Sequence, residues 1–280
     1  MACGVRSSTT PRRLVAGLLF LVGCGQPQPA TPTPTPAPSS GPPPQEAPRV
    51  APAPRITDGA MLVTAMHDRY PDWYRTLAFV QTTTLYRANG ELVQKWYEIA
   101  SLPGRLRIDT DVANRSGQLF ANDSIYTVAN GKLARVDAGL NELLVLGFDV
   151  YRQPPARSIA QLRKLGFDLS KLREDDWNGT HVFVVGAGAG DTTTKQFWID
   201  ATDLLFVRAI GASPRGRTDV RFQKYERVKG GWVAMEVLQL VNGRPALREQ
   251  YANVQIDPTL ADTYFDPRTW ASVSRVFAKP

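Results

Sequence analysis

From Phe79 onward, hydrophobic and polar residues alternate along the chain with a period of two, the pattern of strands that bury one face. The clearest stretch runs from Phe79 to Ile99. Phe79, Gln81, Thr83 and Leu85 alternate before Asn89-Gly90, and Val93, Lys95, Tyr97 and Ile99 alternate after it. Such a pair tolerates positive φ at both central positions, which matches the twist of a tight hairpin. Equivalent pairs recur at Asn130-Gly131, Asn178-Gly179, Gly230-Gly231 and Asn242-Gly243, each between alternating segments. Further strands are expected over 105–111, 117–121, 124–129, 132–137, 180–186, 195–200, 204–210, 218–227, 232–241 and 246–255.

Two regions break this period. Asp58 can cap a helix on which Met61, Leu62, Ala65, Met66 and Tyr70 share a face, and Pro71 ends it. Residues 139–165 carry Leu140, Leu143, Leu144 and Leu146, then Ile159, Leu162 and Leu165, with Pro154-Pro155 splitting two helical pieces. The order is therefore helix, meander, helices, meander. It predicts a mainly β fold with helices (α+β), a large, strongly curved antiparallel sheet, barrel or half-barrel, with helices covering one face. A sheet curved to this degree can enclose an apolar ligand.

The first 54 residues follow other rules. Arg12-Arg13 precedes a short apolar run, Leu14 to Val22. A membrane span needs about 20 apolar residues, so the run reads as the hydrophobic part of a signal peptide. It ends in Leu21-Val22-Gly23-Cys24, which resembles the lipobox of bacterial lipoproteins. That resemblance implies a signal over residues 1–23, cleavage before Cys24, lipidation of Cys24 and an acyl (palmitate-type) membrane anchor. Gly25 in place of Asp favours the outer membrane under the same rules. Residues 25–54 hold twelve of the 22 prolines, so 24–54 is expected to be a semi-rigid spacer carrying the lipidated Cys24 at its start. The remainder, 55–280, is expected to be one domain.

Composition narrows the chemistry. The net charge of +7 includes Arg6, Arg12 and Arg13 of the leader, and the other basic residues are interleaved with acids. No Lys/Arg run tracks a phosphate backbone, so nucleic acid is not an expected partner. The two cysteines, Cys3 and Cys24, leave the domain without a disulfide or a thiol site. His67 and His181 are the only histidines, and no HExxH, GxSxG or cluster with metal-ligand spacing accompanies them. Gly186-Ala187-Gly188-Ala189-Gly190 lacks the third glycine of a dinucleotide fingerprint and reads as a hairpin loop. Glu174-Asp175-Asp176 reads as a solvated turn. The chain is thus expected to be no enzyme and to use no cofactor or metal.

What remains is apolar. Trp96, Leu106, Ile108, Phe183, Trp198, Phe206, Phe222, Trp232, Met235 and Leu238 lie on expected strands and are the candidates to line a cavity. Several segments also resemble a known family. Phe79-Val80-Gln81-Thr82-Thr83, Trp96-Tyr97-Glu98 and Pro103-Gly104-Arg105-Leu106-Arg107-Ile108 are similar to early strands of the periplasmic lipoprotein-carrier (LolA/LolB-like) family. So are Gln196-Phe197-Trp198-Ile199-Asp200, Leu204 to Val207, and Ile256-Asp257-Pro258 to Phe265-Asp266-Pro267, covering about residues 60–268. The resemblance implies an unclosed antiparallel β-barrel with a helical lid and a hydrophobic cavity that binds acyl chains or lipoproteins for transport across the periplasm. The chain shares the lipidated topology of that system's outer-membrane receptor and departs from it in its long stalk. The same fold serves as a sensor domain in an envelope-stress regulator, so fold alone leaves two readings open. One is a membrane-anchored acyl-chain or lipoprotein binder. The other is an envelope sensor or scaffold that holds another envelope protein through a sheet edge or the lid.

Overall fold

A computed structural model describes residues 55–272. The expected signal over 1–23, Cys24 and the proline-rich spacer over 24–54 lie outside the described residues, as do 273–280.

The first helix, α1 (Gly59–Arg69), is capped as expected: the Asp58 carboxylate accepts a 2.8 Å hydrogen bond from the Met61 amide. Its buried stripe is Leu62, Val63 and Met66, while Met61 stays 36% exposed. The face is rotated from the expected one because the helix docks through Gly59. The Gly59 amide donates to the Leu169 carbonyl at 2.8 Å, and a Cβ at Gly59 would lie 2.7 Å from Val185.

Six strands follow as a meander: β1 (Thr76–Arg87), β2 (Gly90–Ser101), β3 (Arg105–Asp111), β4 (Ser116–Ala121), β5 (Ser124–Ala129) and β6 (Lys132–Ala138). Then come α2 (Glu142–Gly147), a 3-10 turn at Asp149–Tyr151 and α3 (Pro155–Lys164). A second meander completes the fold: β7 (Leu172–Trp177), β8 (Thr180–Val185), β9 (Gln196–Asp200), β10 (Phe206–Ser213), β11 (Gly216–Val228), β12 (Gly231–Val241) and β13 (Arg244–Ile256).

All thirteen strands form one antiparallel sheet in the order β6-β5-β4-β3-β2-β1-β13-β12-β11-β10-β9-β8-β7. The chain's first and last strands meet in the middle, where β1 pairs with β13 from Leu77↔Ile256 to Leu85↔Leu247. The two edges, β6 and β7, are consecutive in sequence but are not hydrogen-bonded to each other. The intervening segment carries the helices, which cover one face. The described domain is therefore an open antiparallel barrel with a helical lid.

Three of the five expected turns form as read: Asn130-Gly131, Asn178-Gly179 and Asn242-Gly243 have positive φ at both residues. The other two shift by one residue, since Arg87 pairs with Gly90 and Val228 pairs with Gly231. At Gly231 the cause is packing: a Cβ would stand 2.4 Å from the Trp73 ring, so the glycine serves the strand and not the turn. Glu174-Asp175-Asp176 is not the solvated turn its composition suggests. It lies in edge strand β7, with Asp175 opposite Val182 and Asp176 opposite His181. Charges are well tolerated on an edge strand, where they discourage further pairing.

The inner, helix-covered face holds the main core, including Leu62, Met66, Leu77, Leu146, Leu162, Phe197 and Phe206, each fully buried. Two smaller clusters lie outside it. In one, Tyr264, Phe265 and Trp270 of the C-terminal segment cover Ile99 and Leu119. Beneath Trp270 is an ion pair in which Arg107 meets Asp109 at 2.9 Å, both almost fully buried, with the indole 3.8 Å from the guanidinium. Trp270→Ala removes this roof and should destabilise the fold by about 3–5 kcal/mol, the usual cost of deleting a buried Trp side chain. A lowered denaturant midpoint with an unchanged slope would register it.

Candidate functional site

A cavity of about 80 Å³ lies between the inner face of the sheet and α2. Strand register explains its walls. Leu77 and Phe79 of β1 stand opposite Ala100 and Glu98 of β2, which stand opposite Leu106 and Ile108 of β3. Residues directly opposite in antiparallel strands project to the same side, so all six line the cavity. Phe222 of β11 and Glu249 and Tyr251 of β13 close the far wall, and Phe79 stacks on Tyr251 with ring centres 4.2 Å apart.

The roof is short. Asn141 caps α2 by accepting hydrogen bonds from the Leu143 and Leu144 amides at 3.0 and 3.1 Å. Asn141, Leu143, Leu144 and Phe148 present the roof to the cavity. Gly147 allows α2 to rest on Phe222: a Cβ there would lie 2.7 Å from that ring. Glu142 and Lys195 tether α2 to the loop before β9 with a 2.6 Å ion pair.

The floor is polar. Gln81 and Thr83 are fully buried, and Gln81 Nε2 donates to Thr83 Oγ1 at 2.8 Å while Gln81 Oε1 has no partner. Glu249 Oε2 accepts from the Tyr251 hydroxyl at 3.0 Å. Glu98 is 6% exposed, and its carboxyl has no hydrogen-bond or ion-pair partner among the described residues. Burial holds the Glu98 carboxyl well above the usual carboxylate range, and the neighbouring Glu249 raises it further. Burial likewise pushes Glu249 up to about 7 against the opposing hydrogen bonds from Tyr251 and Gln81. The pair therefore retains protons that two solvated glutamates would release.

The ten apolar candidates divide by strand face. Leu106, Ile108 and Phe222 line the cavity. Phe206 is fully buried behind Phe222, their ring centres 4.8 Å apart. Phe183 and Met235 pack against the main core away from the cavity. Trp96 opposes Gln81 and is half-buried, its indole donating to Gln94. Trp232 borders a shallow groove with Tyr70 and Arg227. Trp198 sits in an outer-face cluster with Val182 and Val184, under the Arg208 guanidinium. Leu238 lies between Arg221 and Arg248 on the neighbouring strands. Strand alternation alone marks Phe79, Glu98 and Ala100 as sharing a face with the cavity. Leu143, Leu144 and Phe148 carry no signal beyond their helix, and Glu249 shows only that a charge falls at an inward position.

His181 bridges Glu174 and Asp176 at 3.1 and 3.2 Å on exposed β7 and β8, and these carboxylates raise its pKa. No group of three or more His, Cys, Asp or Glu with metal-binding geometry occurs among the described residues. No helix among them is long and apolar enough to cross a membrane.

No family model matches the chain, and no curated protein does. Solved structures align with much of its length. A DUF1329 family protein from Desulfovibrio piger is 15% identical, with a TM-score of 0.49 over 74% of this chain and 95% of its own. An outer membrane lipoprotein-sorting protein domain from Vibrio parahaemolyticus is 12% identical, with a TM-score of 0.49 over 76% and 98%. A LolA superfamily protein from Nitrosomonas europaea is 14% identical, with a TM-score of 0.48 over 76% and 98%.

The raised carboxyls make stability depend on pH. Between the ordinary carboxylate value and the raised one, the folded state binds more protons than the unfolded state, so stability falls as pH rises. Asp149, buried against the Gly104 amide and pushed up to about 7, acts in the same direction. At about 1.4 kcal/mol per unit, the rise at Glu249 alone amounts to about 3.5 kcal/mol at most. Glu249→Gln should be more stable than the wild type at pH 8 and should reduce the loss of stability between pH 5 and 8, measured by denaturant unfolding at both values.

Proposed function

We propose that the described domain is a non-catalytic binding module that takes an aliphatic chain beneath α2, and that Cys24 and the spacer over 24–54 hold it at a membrane surface. The observation that carries this reading is the cavity itself: an opening in the core, walled by Leu77, Phe79, Leu106, Ile108 and Phe222 and roofed by a six-residue helix. Acyl chains of lipids or lipoproteins are ligands of this kind. The envelope, with the anchor in the outer membrane, is the location this reading assigns.

Size sets the mechanism. About six buried CH₂ groups contribute about 5 kcal/mol, a millimolar affinity at best, whereas micromolar binding needs about ten. A cavity of about 80 Å³ does not hold ten, so a longer chain requires α2 to swing away from Phe222. A helix of six residues has little stability of its own and is held by Asn141, the Glu142–Lys195 pair and its apolar contacts. A lid held mainly by apolar packing can part when a ligand's chain replaces those contacts. Transfer to or from another carrier would follow the difference in affinity and needs no energy source.

A second reading rests on edge strand β6. Its outer edge has no strand partner among the described residues, and Leu133 and Val136 are 45% and 51% exposed. A peptide of another envelope protein could add a strand there.

Two measurements test the main reading. Ile108→Trp fills the cavity and should weaken binding of a fluorescent 12- to 16-carbon chain at least tenfold while the far-ultraviolet circular dichroism stays unchanged. Undiminished binding would place the ligand elsewhere. Cys24→Ala should release the chain from membranes into the soluble fraction or stall it as a precursor, and fractionation identical to the wild type would remove the anchor from the reading.

A further inference from the structure

We propose that Glu98 and Glu249 form a head-group site in the cavity that selects a single-chain amphiphile ending in an ammonium group. The inference rests on the preceding reading in that the tail occupies the space under α2.

The balance of donors and acceptors points to this chemistry. Glu98 is almost fully buried, lines the cavity and has no partner for its carboxyl among the described residues. Glu249 lines the same cavity with one hydroxyl donor, from Tyr251. Gln81, which also hydrogen-bonds to Glu249, leaves its own Oε1 unsatisfied. The site thus has an excess of acceptors, and a ligand must supply donors. An ammonium group supplies three N–H donors and a positive charge.

The groups facing the pair are otherwise neutral. β1 presents Phe79 and Thr83, β3 presents Ile108, and β12 presents Val237 opposite Glu249. The roof presents Asn141, Leu143, Leu144 and Phe148, and β11 presents Phe222. Tyr251 is the remaining titratable group on the wall, and burial raises it well above its ordinary value, so it stays neutral. No lysine, arginine or histidine lines the cavity. A carboxylate or phosphate head would bring another negative charge to a buried pair that already resists ionising, and is rejected. A calcium ion needs six to eight oxygen ligands, more than this wall offers. The ammonium instead stabilises the ionised pair and displaces the proton held there, so its affinity rises with pH.

Isothermal titration of the full chain carrying Cys24→Ala, which bears no acyl group of its own, tests the inference with three 12-carbon probes: dodecylamine, dodecanol and dodecanoate, each below its critical micelle concentration. At pH 8 dodecylamine should bind at least tenfold more tightly than dodecanol, and dodecanoate most weakly. Glu98→Gln and Glu249→Gln should each cut the preference for the amine over the alcohol to within about threefold, with an unchanged far-ultraviolet circular dichroism spectrum showing that the variants fold. At pH 5 the amine stays charged while the carboxyls take up protons, and the wild-type preference should fall likewise. Equal affinities for amine and alcohol, both lost in Ile108→Trp, would overturn the head-group site and leave the cavity reading standing. An amine preference that survives both Gln variants would also overturn it. If none of the three probes binds, the cavity reading fails and this inference falls with it.

Discussion

The pairing of β1 with β13 is the constraint on which everything else depends. Each meander can form from local hairpins, but only this contact, between strands more than 150 residues apart, makes one sheet of them. It also builds the cavity, whose walls come from β1, β2 and β3 on one side and from β11 and β13 on the other. Phe79 stacking on Tyr251 spans that seam. Loop closure over such a separation is entropically costly and slow, so the hairpins are expected to precede the seam in folding. Until it forms, Leu77 and Phe79 have no partner wall.

The same topology explains why the barrel stays open. With β1 and β13 in the centre, the free edges are β6 and β7, the two strands flanking the helical segment. Closure would require these edges to meet across the space that α2, the Asp149–Tyr151 turn and α3 fill. Tyr151 shows how firmly part of that segment is fixed. Its hydroxyl accepts from the Phe206 amide at 2.9 Å and donates to the Leu204 carbonyl at 3.2 Å, and its ring stacks on Trp73. Leu162 of α3 is fully buried. α2 buries Leu144, Val145 and Leu146 but makes no side-chain hydrogen bond of the Tyr151 kind, and it adjoins the cavity. The turn is thus fixed by hydrogen bonds and ring stacking, and α2 by apolar packing and the Glu142–Lys195 pair.

Much of this was legible in the sequence, and the reasons differ by element. Alternation from Phe79 to Ile99 and the Asn-Gly turns marked the hairpins because local sterics decide them. Asp58 and Pro71 bounded α1 for the same reason. Strand β7 was not legible, since Glu174-Asp175-Asp176 has the composition of a loop and is drawn into the sheet only by pairing with β8. Face assignment failed for a related reason. Trp198 and Leu238 are as apolar as Phe222, but both lie on the outer face. Trp198 there is covered by the Arg208 guanidinium, and Leu238 lies between the arginine rows. Apolar character marks a strand residue as packed without saying against what. Glu98 and Glu249 were the hardest to see, because a charge at an inward position reads as an interruption of the pattern until both strands stand side by side.

The treatment of other buried acids in this chain gives that pair its significance. Asp109 meets Arg107, and Asp219 is held by Arg208 and Arg221 at 2.7 and 2.9 Å. Glu236 is shared by Lys224 and Arg248, and even Asp149, raised as it is, has the Gly104 amide and the field of Arg157. Buried carboxyls in this fold are thus compensated by cations or donors, as the cost of burying an unpaired charge demands. Glu98, between Phe79 and Ile108 at the wall of the cavity, departs from this, and Glu249 beside it has the Tyr251 hydroxyl as a donor but no cation. Local departures of this sort, which lower stability without a structural return, are characteristic of sites shaped by a ligand. The missing cation is then the feature to explain, and the adjoining space under α2 is where one can enter.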